Sequence, residues 1–476
     1  MDISSNNQHT MLRCSKIFAR PLNLPITLAS PRPSIPVFQS LWRRKLSSVS
    51  FAPGSTMAAN HHAEYDWIED VEQLEKYQPG GYHPIIVGDV LHDRYHIVDK
   101  LGFGGYSTVW LARDARLERY VALKVNISES IPREAKVLKA LSAPPPSSSP
   151  VHPGYGLVPV LLDEFEVQGF NGKHTCYTVP PAQCNLRDAA FSRLFPLDVA
   201  RALSYRVAQA VAYTHSQGYI HGDIHLSNIL VKLPSSFDKL SIKQFYEKYG
   251  EPEMIPITRC DGAPLPPNVP ATATLPLFLG KYAEKFVLSD AHPLLSDFGE
   301  AFSPASEIRL GQDCHTPAAF RAPEAKFELQ IPLAYPSDIW SLATAIWEIM
   351  GIKSIFSAEY MHEDEVTAQQ IDVLGPMPSE WWQRWEGRPQ FFDDHGDPTE
   401  SYKRNKWPPL EERFEICIQK WRRKFVGSEI EEDEKAAFLD LMRRMLSFRP
   451  EERPTAEEVL MSDWMVKWAL PDCERS

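Results

Sequence analysis

Five short motifs bind distant parts of this chain to one geometry. They are L-G-F-G-G-Y-S-T-V-W (Leu101 to Trp110), V-A-L-K ending at Lys124, H-G-D-I-H-L-S-N (His221 to Asn228), D-F-G (Asp297 to Gly299) and A-P-E (Ala322 to Glu324). Any one of them is weak, since a bare G-x-G arises by chance in a chain of this length. Together and in this order they are not chance. Gly102, Gly104 and Gly105 let a backbone approach phosphates with no side chain in the way. The other reading of such a stretch is a plain hairpin turn. V-A-L-K at the right distance downstream disfavours it.

A chain of 476 residues exceeds one ordinary hydrophobic core, so two packed lobes with extensions are expected. Its 43% hydrophobic content suits a soluble globular protein. No run approaches the roughly 18 apolar residues of a membrane-spanning helix, so no membrane partner is expected. The seven cysteines are dispersed and form no C-x-x-C pair. That excludes a zinc ribbon or disulfide framework and fits a reducing compartment.

Charge is divided unevenly. Residues 1–63 carry seven Lys/Arg against one acid, and residues 64–476 carry a net charge of −18. An acidic body repels phosphates, so direct nucleic-acid binding is not expected. The same surface would attract basic protein substrates, although a soluble acidic exterior with no partner meaning accounts for it as well.

Residues 1–63 are Ser-, Pro- and Arg-rich without a sustained apolar period. They read as a disordered or targeting tail, as a mitochondrial transit peptide, or, with Met57 as the true start, as an artefact of the gene boundary. Residues 64–94 read as an N-terminal extension and 95–182 as a small β-rich lobe. Its expected strands lie at 95–101, 108–112, 120–126, 156–166 and 174–179, with a short helix at 131–141 capped by Ser130. Residues 183–470 read as a large helical lobe, with helices at 197–217, 336–350 and 434–446. Residues 234–290, holding a proline-rich stretch, are an insertion in this half.

These motifs resemble the eukaryotic protein kinases across about residues 94–464. Y-Q-P-G-G-Y-H-P (Tyr77 to Pro84), the full glycine-loop sequence, S-D-I-W-S and the position of the insert are similar to the serine/arginine-protein kinases (SRPK-like), particularly fungal members. The resemblance implies an α+β, bilobal protein-kinase fold and an ATP- and Mg2+-dependent transfer of the γ-phosphate to protein serine or threonine hydroxyls. It implies substrates that are basic and Arg-Ser-rich, and a monomer in the cytoplasm or nucleus. Mitochondrial import is expected only if residues 1–56 are a transit peptide.

It also assigns residues. Asp223 accepts the substrate proton, and Asn228 and Asp297 hold magnesium. Lys124 contacts the α/β-phosphates and is held by a helix carboxylate, Glu134 or alternatively Glu129. Leu101, Gly102, Gly104, Gly105, Ser107, Val109 and Ala122 surround the nucleotide, Ser107 standing where a third glycine is usual. Val179 is the gatekeeper; Pro180 offers its carbonyl and Ala182 its N–H to adenine, a register that tolerates two prolines because proline lacks only the donor. His221 is structural, Asp338 bonds the catalytic-loop backbone, and Glu324 pairs with Arg453.

Three positions depart from the kinase pattern. Gly222 replaces the arginine before the catalytic aspartate, a change shared with the SRPK-like group. His225 replaces the lysine two residues after it, and Pro317 a threonine of the activation segment. The paired loss suggests one rebuilt contact, His225 with Thr316. It also leaves a second reading, a pseudokinase acting as a nucleotide-binding or protein-interaction scaffold.

Overall fold

The computed structural model describes residues 64–130, 133–144, 150–357, 362–427 and 429–476. The N-terminal tail and its targeting reading lie outside them, as do the first two residues of the helix expected at 131–141.

Among the described residues, β1 (Val90–Leu91), β2 (Tyr95–Gly104), β3 (Ser107–Asp114), β4 (Arg119–Asn126), β5 (Asp163–Gly169) and β6 (Gly172–Val179) form an antiparallel sheet in the order β1-β2-β3-β4-β6-β5. The glycine loop is the turn between β2 and β3, where Gly104 pairs with Ser107. Two register shifts in β2, at Ile97/Asp99 and Lys100/Gly102, bend the strand toward that turn. One face of the sheet buries Tyr95, Ile97, Trp110, Leu123 and Val125. The strand expected at 156–166 begins only at Asp163, and Tyr155–Leu157 is a 3-10 turn instead. Pro159 has no N–H to give a ladder, so the pairing starts after it.

Helix α1 (Arg133–Leu141) crosses between the lobes. Its inward residues Ala135, Val137, Leu138 and Leu141 belong to the core of the helical lobe, and Tyr213 donates a hydrogen bond to the Leu141 carbonyl at 2.6 Å. Beyond the connection, β7 (Ala182–Asn185) leads to α2 (Leu197–Ser216), whose buried alanines at 200, 202, 208, 210 and 212 allow close helix packing. β8 (Ile229–Lys232) then runs beside β7.

The insertion is ordered and packs on the small lobe, although its sequence lies in the helical half. Helix α3 (Ile242–Tyr249) starts at a Ser241/Gln244 capping box and stops at Gly250, whose φ is 85°. Phe237 and Phe245 cover Val98, Leu111 and Tyr120 on the sheet's second face. The Asp238 carboxylate accepts the Tyr120 N–H at 2.9 Å. β9 (Met254–Pro256) and β10 (Thr272–Thr274) pair and bury Ile257, Val269 and Ala273 against Tyr65, Leu74, Tyr77 and Tyr82 of the N-terminal extension.

β11 (Pro293–Leu295) completes a small sheet with β8 and β7 and delivers the chain to D-F-G. In α4 (Tyr335–Met350) every residue from Asp338 to Met350 is buried, so this helix is the centre of the lobe. α5 (Glu432–Met445) packs beside it through Phe438, Met442 and Met445. Among the described residues no helix is long and apolar enough to cross a membrane.

Candidate active site

The cleft between the lobes gathers the motif residues. Lys124 extends from β4, and its Nζ lies 2.6 Å from Glu134 Oε2 on α1 and 3.0 Å from Asp297 Oδ1. Glu134 Oε1 also accepts the Phe298 N–H at 3.2 Å, so one carboxylate ties α1 to both the lysine and the D-F-G turn. Glu129 instead sits beside Gly80, its N–H donated to the Gly80 carbonyl at 3.0 Å. Burial opposes the Lys124 charge, but Asp297, Glu134 and Tyr177 outweigh it and raise its pKa well above the ordinary lysine value. The Lys124 charge, 3.0 Å away, holds the Asp297 carboxyl below the usual carboxylate range.

The catalytic loop is suspended from the helical core. Asp338 is buried and accepts the N–H groups of His221 at 2.7 Å and Gly222 at 2.9 Å, with His215 Nε2 at 2.9 Å. Burial alone would push its pKa up; the histidines and backbone donors bring it below the usual range. His221 bridges this loop to the next, its Nε2 lying 3.0 Å from the Ser296 carbonyl and its ring against Phe298.

Asn228 donates its side-chain amide to the Asp223 carbonyl at 2.9 Å and to Asp223 Oδ2 at 3.0 Å. Asp223 Oδ1 is buried with no hydrogen-bond partner in the chain. That leaves a carboxylate oxygen facing no protein donor, which suits a hydroxyl brought by a substrate.

His225 is not paired with Thr316. Its Nε2 lies 3.4 Å from Asp223 Oδ2 and 3.3 Å from the Asn228 amide, and its ring stacks on Phe320. Burial works against its positive charge, but Asp223 overrides this and raises its pKa. Thr316 donates instead to the Gly222 carbonyl at 2.6 Å.

The glycine at position 222 has a steric cause. Its φ is 78°, and an added Cβ would stand 3.0 Å from the Glu300 carbonyl. An arginine there would be strained in its backbone and crowded at its Cβ. The activation segment uses a different cation. Arg309, nearly buried, reaches Glu300 Oε2 at 3.1 Å and Glu307 Oε1 at 3.2 Å, and Arg133 of α1 meets the same Glu307 oxygen at 3.3 Å. His315 adds a contact to Glu300 at 3.0 Å. Sequence reasoning missed this network; the one visible signal was Glu300 directly after D-F-G.

Of the residues expected around a nucleotide, Val109 pairs across the strands with Gly102 and Lys124, and Ala122 with Val179. Leu101 is half-buried on β2, and Ser107 is buried at the base of the turn. Pro180 lies between β6 and β7, and Ala182 starts β7 opposite Lys232. A Cβ added at Gly102, Gly104 or Gly105 would meet nothing within 4 Å, so this backbone lines open space. Among the described residues no three His, Cys, Asp or Glu side chains converge on a metal position. Asp297, its side chain half exposed, and Asn228 could together offer two oxygen ligands. That suits magnesium, which takes one or two protein ligands and is otherwise held by phosphates and water.

The acidic run 429–434 is only partly available to a partner. Glu434 is buried against Arg201, and Glu429 lies 3.4 Å from Arg423.

The protein kinase domain profile matches residues 284–465, starting in the last residues of the insertion. A serine/threonine protein kinase of Aspergillus fumigatus is 29% identical over 83% of this chain and 90% of its own length. The serine/threonine-protein kinase SRPK of Physarum polycephalum is 28% identical over 83% of this chain and 91% of its own. Human SRSF protein kinase 3 is 34% identical over a shorter stretch, 34% of this chain and 30% of its own. A crystal structure of a kinase domain superposes with a TM-score of 0.55 at 18% identity, over 81% of this chain and 98% of that one.

Proposed function

We propose that this chain is an ATP-dependent serine/threonine kinase that phosphorylates serines in basic, Arg-Ser-rich protein segments, as its similarity to protein kinases supports. The net charge of −18 over residues 64–476 carries the substrate reading, joined by similarity to a kinase named for SRSF proteins. ATP with magnesium brings the phosphoryl group and neutralises its charge. In our reading Asp223 orients the substrate hydroxyl and takes its proton as the new O–P bond forms and the bond from the γ-phosphorus to the bridging oxygen breaks, releasing ADP. Asn228 holds Asp223 in place and, with Asp297, faces the metal. Lys124, fixed by Glu134, contacts the phosphates. His225 sits close enough to Asp223 to place a positive charge near the reacting oxygen. Lys124, Asp223, Asn228 and Asp297 are all in place in the cleft, which favours catalysis over a scaffold role.

Attraction between exposed charges is screened beyond about 8–10 Å at physiological salt. The KM for an Arg-Ser peptide should therefore rise several-fold between low and physiological ionic strength, with kcat nearly constant. An acidic serine peptide should be a poor substrate throughout. Equal use of the two peptides would refute the substrate class while leaving the kinase assignment standing.

The carboxylates of Glu300 and Glu307 occupy Arg309 and Arg133 without any phosphate. Gly222 offers no cation to receive one. Protein made in bacteria and treated with phosphatase should keep its full rate of peptide phosphorylation. A large drop would show that a phosphorylated residue holds the segment after all.

A further inference from the structure

The motif Y-Q-P-G-G-Y-H-P lies outside every catalytic element, yet the structure brings it to the tip of the glycine loop. Tyr82, buried, donates its hydroxyl to the Gly104 carbonyl at 2.7 Å. Lys76 Nζ donates to the Gly105 carbonyl at 3.2 Å.

The two side chains stand together because residues 76–82 make a tight turn. The Tyr82 N–H returns to the Lys76 carbonyl at 3.0 Å, and Gly81 N–H bonds Gln78 O at 2.8 Å. Both glycines are required by this turn. A Cβ at Gly81 would stand 1.8 Å from the Lys76 carbonyl, and Gly80 has a φ of 89° with Glu129 against it. The turn is anchored at two levels below the loop. Glu72 is buried between Lys100 of β2 and the Tyr77 hydroxyl. From the insertion, Asn268 donates to the Tyr77 carbonyl at 2.6 Å, and Leu277 N–H bonds the Lys100 carbonyl at 2.7 Å.

In a trans peptide the C=O and the next N–H point in opposite directions. Holding the carbonyls of Gly104 and Gly105 toward the extension turns the N–H groups of Gly105 and Tyr106 the other way. We propose that Tyr82 and Lys76 are positioning residues that fix these two successive amides as donors to the nucleotide phosphates, so that the extension and the insertion complete the phosphate cradle from outside the kinase core. In the isolated hairpin these glycine peptides would be free to rotate, and ordering them would fall to the nucleotide.

The proposal rests on reading Leu101 to Trp110 as the phosphate-binding loop, and the test separates the two. Full-length protein carrying Tyr82→Phe keeps the ring and its packing on Tyr77 but loses the hydroxyl. Lys76→Met removes the second donor from a half-buried site where folding is not at stake. ATP and adenosine affinities are measured side by side, with the thermal midpoint. Each variant should raise the KM for ATP by about five- to ten-fold, the effect of one hydrogen bond, and the double variant by more. Adenosine affinity and the melting temperature should stay at wild-type values. Unchanged ATP affinity in both variants overturns the proposal, as does an equal loss for ATP and adenosine, which marks a structural role. If wild-type protein binds adenosine as tightly as ATP, the loop is not a phosphate cradle and the underlying reading fails instead.

Discussion

Replacing Asp297 by asparagine should lower peptide phosphorylation by a factor on the order of 10²–10³ while leaving the fold intact. That range is typical for removing one electrostatic contact from a transition state in a site poised for it. Asp297 Oδ1 lies 3.0 Å from Lys124, whose charge is the main reason its pKa is lowered and the carboxylate form favoured. Asparagine keeps the size and removes the charge. It also suits the backbone, because residue 297 has φ 62°, a left-handed conformation that asparagine tolerates and alanine does not. The side chain is half exposed, so little packing is lost. Single-turnover transfer from labelled ATP reads the effect, and a magnesium titration of the variant should shift to higher concentration. Near-normal turnover would remove Asp297 from the metal site.

Much of this architecture was legible in the sequence because its signals are local. Leu197–Ser216 and Tyr335–Met350 announce themselves by apolar period, and β4 by its run of Val, Ala and Leu around Lys124. Contacts built from one loop to another were not legible. Nothing in D-C-H-T-P says that Thr316 will bond the Gly222 carbonyl and not His225, since both partners are polar and the folding of the two loops decides between them. The insertion reads as a proline-rich loop until Ser241 and Gln244 are seen as a cap. Even then, that Phe237 and Phe245 cover Tyr120 depends on a sheet face that the motif set leaves bare. The extension was recognised through the motif Y-Q-P-G-G-Y-H-P, with no reason for its glycines. Their cause, a carbonyl too close for any Cβ, exists only in three dimensions.

Arg453→Met should destabilise the helical lobe by about 3–5 kcal/mol, the usual cost of leaving one member of a buried ion pair alone. The Arg453 side chain has no solvent exposure, and its two terminal nitrogens each lie 2.7 Å from a Glu324 oxygen. The same guanidinium donates to the carbonyls of Ser447, Pro336 and Phe448 at 2.8, 2.9 and 3.1 Å and stacks over Trp340. Methionine restores volume but none of these bonds, and it strands the Glu324 carboxylate at the end of the activation segment. Lysine keeps the charge without the paired geometry and should recover only part of the loss. Because much of the penalty is the unpaired charge, Glu324→Leu combined with Arg453→Met should be more stable than Arg453→Met alone. Chemical denaturation of the four proteins, followed by tryptophan fluorescence, measures this directly. A single variant within about 1 kcal/mol of wild type, against that expected 3–5 kcal/mol, would mean that water or another cation reaches Glu324. The activation segment would then be anchored elsewhere, with the Arg309 network the next place to cut.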